Sequence, residues 1–140
     1  MGSTPKKGDG FSAAEKAAMR ARAKELKAAE DGETAVRESL AAMAPKDRAL
    51  GRRLHELVSE SAPELVPKTW YGMPAYAKDG KVVCYFRDAG KFKDRYATFG
   101  FNDRANLDKG SMWPVAFALT AKLGKADEAK IAKLVEQAVS

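Results

Sequence analysis

The hydrophobic pattern of this chain starts out helical. From Ser12 to Asp31 the sequence SAAEKAAMRARAKELKAAED is alanine and charge, with Met19 and Leu26 its only large apolar residues. Such a run is helical by propensity. Ser12 and Glu15 have the spacing of a capping box, in which hydroxyl and carboxylate each take one free amide at the helix start. The apolar stripe is thin, so a peripheral helix is expected over 12–31, ended by Asp31-Gly32. Val36, Leu40 and Met43 follow at helical spacing on a short second helix. Pro45 suits the first turn of a third. There Leu50, Leu54, Leu57 and Val58 form an apolar stripe, and Pro63 and Pro67 stop it.

The middle of the chain changes period. Eleven of the twelve aromatic residues fall between Trp70 and Phe117, which places a sheet there. Asp79-Gly80 reads as a two-residue hairpin turn, since both positions must adopt positive φ. It pairs Lys78 with Lys81, Ala77 with Val82, Tyr76 with Val83 and Ala75 with Cys84. A third strand runs from about Phe92 to Phe101, a polar loop NDRANLDKG follows, and Val115–Leu119 fits a fourth strand. Ala126 to Val139 predicts a closing helix, with Ile131, Leu134, Val135 and Ala138 on one face. Helices, four antiparallel strands and a helix make a two-layer α+β domain.

Alternation along the hairpin predicts which residues share a face. Tyr71, Met73, Ala75, Ala77, Val82, Cys84 and Phe86 form a smooth apolar set for the helices to cover. Trp70, Gly72, Pro74, Tyr76, Val83, Tyr85 and Arg87 share the other face, and a four-residue turn at Asp88–Lys91 adds Tyr96. Of these, Trp70, Gly72, Pro74, Tyr76, Tyr85 and Tyr96 form an outward aromatic platform with a dip at Gly72. Tyrosine and tryptophan combine a broad apolar body with a polar end, which suits a face that a partner or small-molecule ligand covers part of the time. Pro74 lacks an amide donor, so its strand is expected at an edge or bulged.

Composition narrows the functional classes. A chain of 140 residues is long enough for one self-supporting core. No apolar run reaches the roughly 18 residues of a membrane span, and residues 1–11 read as a disordered leader rather than a secretory signal. The single Cys84 rules out an internal disulfide and fits a reducing, cytoplasmic setting. The net charge of +6 is spread along the chain: residues 1–60 carry 12 basic and 10 acidic side chains. A nucleic-acid footprint is normally a patch, so no nucleic-acid partner is expected.

Catalytic chemistry is sparse. His55 is the only histidine, so a multi-histidine metal site is excluded. His55-Glu56-Leu57-Val58-Ser59 begins like a zinc-protease helix, but serine stands where the second histidine belongs. Cys84 lies in VVCYF and reads as a buried, inert thiol. The loop from Asn102 to Gly110 offers oxygen donors without calcium-loop spacing and reads as a surface loop fastened by side-chain-to-backbone bonds. A non-enzymatic protein is expected.

The stretches PELVPKTWYGMPAYAKDGKVVCYF, KFKDRYATFGF and MWPVAFALT, ahead of a closing helix, resemble the bacterial domain-of-unknown-function 1801 (YdhG-like) family over residues 33–140. The resemblance implies a frataxin-like α+β fold and an intracellular iron chaperone that binds ferrous iron weakly and delivers it to an iron–sulfur or haem assembly protein. Such a role draws on acidic oxygen ligands. Outside the first helix the candidates are Glu33, Glu38, Asp103 and Asp108. The alternative reading is a metal-independent recognition module that uses the aromatic sheet face.

Overall fold

The computed structural model describes residues 11–120 and 122–140. Within them the chain forms α1 (Ala13–Ala41), α2 (Pro45–Ser61), β1 (Val66–Trp70), β2 (Met73–Lys78), β3 (Lys81–Arg87), α3 (Ala89–Phe92), β4 (Ala97–Phe101), β5 (Ala116–Leu119) and α4 (Lys125–Ala138). The five strands make one antiparallel meander in the order β1-β2-β3-β4-β5. Helices α1, α2 and α4 pack with its inner face around a single core. The architecture is a two-layer α+β domain. The leader expected at 1–11 lies, apart from Phe11, outside the described residues.

The capping box at Ser12 forms: the Glu15 amide donates to Ser12 Oγ at 3.1 Å, and the Ser12 amide to Glu15 Oε1 at 3.0 Å. The helix it starts does not stop at Asp31-Gly32. It runs on through Ala41 as one rod, 29 residues and about 43 Å long. The expected 12–31 helix and the short second helix are one element. Gly32 sits inside it because β1 passes directly against it; a Cβ at Gly32 would overlap the Pro67 carbonyl. Glycine costs a helix interior up to about 1 kcal/mol relative to alanine, and here it lets the backbones of α1 and β1 meet directly. Between Ala13 and Ala28 every residue but Lys16 is exposed, so this half of α1 is peripheral as expected.

Pro45 opens α2 at its first turn. Leu50, Leu54, Leu57 and Val58 all face the core, with Leu54 fully buried. Burying a leucine completely is worth roughly 1.5–3 kcal/mol. Gly51 lets α2 approach the sheet, since a Cβ there would press on Leu40 and Phe86. Phe86 and Phe99, cross-strand partners in β3 and β4, are buried against these helices. Phe117 and Leu134 are half-buried and pack on the edge of the core.

The expected third strand starts at Ala97 and not near Phe92, because Asp88 caps the short helix Ala89–Phe92 and Lys93 ends it at a left-handed φ of 57°. The sheet departs from the expected strands at two further points. First, TWYGMPAYA is not one strand. Tyr71 (φ 52°) and Gly72 (φ 76°) form a two-residue turn that pairs Trp70 with Met73. Second, the Asp79-Gly80 turn forms as expected, with Lys78 opposite Lys81 and Ala77 opposite Val82, but the register then shifts. Tyr76 pairs with Cys84 and Ala75 with Tyr85, leaving Val83 as a bulge residue. A bulge of this kind places two neighbours on one face, and Val83 and Cys84 both belong to the core.

The prolines follow the ladder. The Trp70–Met73 pair closes a two-residue hairpin, so hydrogen-bonded and non-bonded pairs alternate from there. Pro74 and Pro67 both fall on non-bonded pairs of the β1–β2 ladder. The β3 ladder begins only at Ala75, so no strand awaits the amide that Pro74 lacks. β1 is an edge strand, and Pro67 faces its open side.

Candidate functional site

The bulge and the first turn sort the aromatic residues differently from simple alternation. On β3 the expectation holds for Cys84 and Phe86, which point inward, and for Tyr85, which points outward. It does not hold for Val83, expected outward and found in the core, nor for Val82, which pairs with Ala77 outside the core cluster. On β2 it is reversed. Met73, Ala75 and Ala77 are buried on the outer side and are not part of the core cluster, whereas Tyr76 belongs to it. Tyr76 and Pro74, expected on the platform, are both at most 2% exposed. The reason is that the extra residue at Val83 uncouples the alternation of β2 from that of β3. Tyr71, expected under the helices, is 79% exposed because it occupies a left-handed turn position rather than a strand position. Gly72 is likewise a turn residue and not a dip in a strand. Any side chain there would be strained by the positive φ and would meet Lys91 Nζ.

What remains on the outer face is a compact aromatic corner. Trp70 lies edge-on to Tyr71 with ring centroids 5.0 Å apart, and its other neighbour is Tyr85 at 5.3 Å. The Tyr85 ring occupies the space over Gly100, where a Cβ would collide with it. Trp70 and Tyr85 are half-buried, and Lys68, Ala116 and Ala118 on the same face are exposed. Beside them Arg87 is held in place by Asp94 at 2.7 Å and stacks on the Phe92 ring at 4.0 Å. Tyr96 stands apart: it is exposed, and its ring contact is with the guanidinium of Arg95. Of the six expected platform residues, the structure brings Trp70 and Tyr85 together, with Gly72 at the corner's turn. It turns Pro74 and Tyr76 inward and leaves Tyr96 separate.

Tyr76 has another use. Its hydroxyl lies 2.9 Å from His55 Nδ1, and His55 Nε2 lies 2.9 and 3.0 Å from the two oxygens of Glu33. Glu33 is also paired with Arg37 one turn further along α1. This relay ties β2, α2 and α1 together through polar bonds inside an apolar core, where an unpaired group would be costly. Partial burial acts to raise the Glu33 carboxyl, but the hydrogen bond and charge of His55, with those of Arg37, outweigh it and hold Glu33 below the ordinary carboxylate value. Burial pushes the Tyr76 phenol well above its usual range, with Cys84 and Glu33 adding to the effect. Burial also pushes up the thiol of Cys84, which is fully enclosed, consistent with an inert cysteine. The relay was missed in the sequence because its three members are spread over two helices and a strand.

The loop from Asn102 to Gly110 is fastened to the body, with Ala105 and Leu107 in the core and Asn106 Nδ2 donating to the Ser140 carbonyl at 3.2 Å. Among the described residues no group of three or more His, Cys, Asp or Glu side chains is placed to hold a metal ion. Glu33, one of the acidic candidates, is engaged by His55 and Arg37. No described helix is long and apolar enough to cross a membrane. Comparison with protein-family models, with curated proteins and with solved structures finds no match to this chain.

Proposed function

We propose that this protein is a non-enzymatic recognition module that docks a partner on the outer face of its sheet, through Trp70, Tyr71 and Tyr85. The observation that carries the reading is the position of Tyr71. A large aromatic ring stands 79% exposed at a two-residue turn, in ring contact with Trp70, which contacts Tyr85 in turn. Aromatic rings fixed in this way lose little conformational freedom on binding and offer broad contact area, the properties that make tyrosine and tryptophan frequent anchors of interfaces. A planar or aromatic group of the partner stacks against this corner, and Lys68 borders it on β1.

Iron delivery, the role the family resemblance implies, rests on that resemblance alone. Its cargo needs converging oxygen ligands, and the acidic side chains of the described residues do not gather into such a group.

The test compares the full chain with a Trp70→Ala/Tyr71→Ala double variant against an array of labelled peptides varied in aromatic content. Binding lost in the double variant, with its unfolding midpoint little changed, supports the reading. Binding unaffected by the double change, or no binder at all, overturns it.

A further inference from the structure

On the other side of the Tyr71-Gly72 turn a cleft of about 530 Å³ opens between α1, the turn and α3. Its walls include Glu38 and Ser39 of α1, Thr69 and Gly72 of the first hairpin, and Asp88 and Lys91 at α3. Its size is that of a small-molecule site.

Asp88 makes the cleft unusual. Its side chain is enclosed, with the residue 2% exposed. One oxygen, Oδ2, accepts from the Lys91 amide at 3.1 Å. The other, Oδ1, is buried and has no hydrogen-bond partner among the described residues. A buried carboxylate oxygen left unpaired bears its desolvation cost with nothing to offset it. Such atoms are rare in native proteins and ask for an explanation. Lys91 does not supply it: its ammonium reaches across the cleft to the Gly72 carbonyl at 3.2 Å, an oxygen that Ser39 Oγ also donates to at 3.2 Å. Lys91 is exposed, so its long arm can swing away without leaving a buried charge. The cleft then presents two carboxylates, Glu38 at the solvent side and Asp88 at depth, and the Gly72 carbonyl.

We infer that this cleft binds a small organic cation, a protonated amine or guanidinium, whose N–H groups are accepted by Asp88 Oδ1 and the Gly72 carbonyl, with Glu38 supplying a second negative charge and Lys91 displaced. A cation of this kind brings several donors to a short-range cluster of acceptors, and hydrogen bonds to a charged carboxylate are the strong ones. A divalent metal fits less well, because the site gathers only two carboxylates. The proposal is independent of the outer-face reading, since the cleft lies on the helix side of the hairpin.

Agmatine, which carries both a guanidinium and an ammonium, is the probe, with calcium and acetate titrated separately. Amide spectra of the full chain are followed. Agmatine should shift the resonances of Ser39, Gly72, Asp88 and Lys91 saturably. Asp88→Asn keeps the oxygen that caps α3 and should weaken binding at least tenfold. Glu38→Gln, on the exposed rim, tests the site without disturbing the buried group and should weaken binding severalfold. No saturable shift with agmatine, equal affinity in both variants, or saturation by calcium or acetate in its place would overturn the inference.

Discussion

On its inner face the sheet presents Tyr76, Phe86 and Phe99 to three helices; on its outer face it presents Trp70, Tyr85 and the turn residue Tyr71 to solvent. The residue types are alike, and what differs is how each polar end is treated. Inside, the one phenol is bonded to His55, which is bonded to Glu33, so the polar end of the buried ring is paired. Outside, the rings lean on each other and on Gly100, with their polar ends free to meet water or a partner. A sheet can thus spend aromatic residues on stability on one side and on contact area on the other. For Tyr76 the decision between the two rests on a single extra residue in β3.

The widest separation between the faces should appear on truncating the inner one. Phe99→Ala removes a fully buried ring at the centre of the sheet and should cost about 3–5 kcal/mol, read from urea unfolding. A loss below about 1 kcal/mol would mean that β4 does not carry the core.

The polar link comes next. Tyr76→Phe leaves the ring and strips the buried His55 Nδ1 of its partner, at a cost of about 1–3 kcal/mol. The same substitution on the outer face, Tyr85→Phe, should change stability by less than about 0.5 kcal/mol. Equal effects would erase the distinction between the faces.

This contrast also shows what was legible in the sequence. The Asp79-Gly80 turn, the α2 stripe, the capping box and the inward Phe86 and Phe99 follow from local rules that act within a few residues. The bulge at Val83 does not: VVCYF contains no glycine or other mark of an extra residue, and only the packing of Val83 and Cys84 together against the helices selects it. Tyr71-Gly72 carried a faint mark, since a glycine between two strand-forming runs can close a hairpin. The continuous alternation from Trp70 to Ala77 hid it. Gly32 misled in the opposite sense. Its role is set by a strand more than thirty residues away, so a helix-ending residue became a helix–sheet contact.

A smaller effect concerns pH. The folded protein holds Glu33 below its ordinary value of 4.5. Its contribution to stability is therefore complete above that value and is lost as pH falls through the lowered folded value. Glu33→Gln should flatten the stability curve in that acidic window, as measured by urea midpoints across pH. An unchanged acidic limb would show that the relay carries no pH dependence.

The smallest change in stability should come from Tyr71→Ala, within about 0.5 kcal/mol, because the ring is exposed and away from the core. A larger loss would mean that Tyr71 supports the fold.

Whether the outer corner is a docking surface is decided by fragment mapping with amide spectroscopy. A library of small planar aromatic compounds is titrated into the full chain and each shift is assigned to a residue. The binders should share one footprint, on the amides of Trp70, Tyr71, Tyr85 and Gly100. Binders that scatter over the surface, or that collect elsewhere and leave these four amides unmoved, would contradict it.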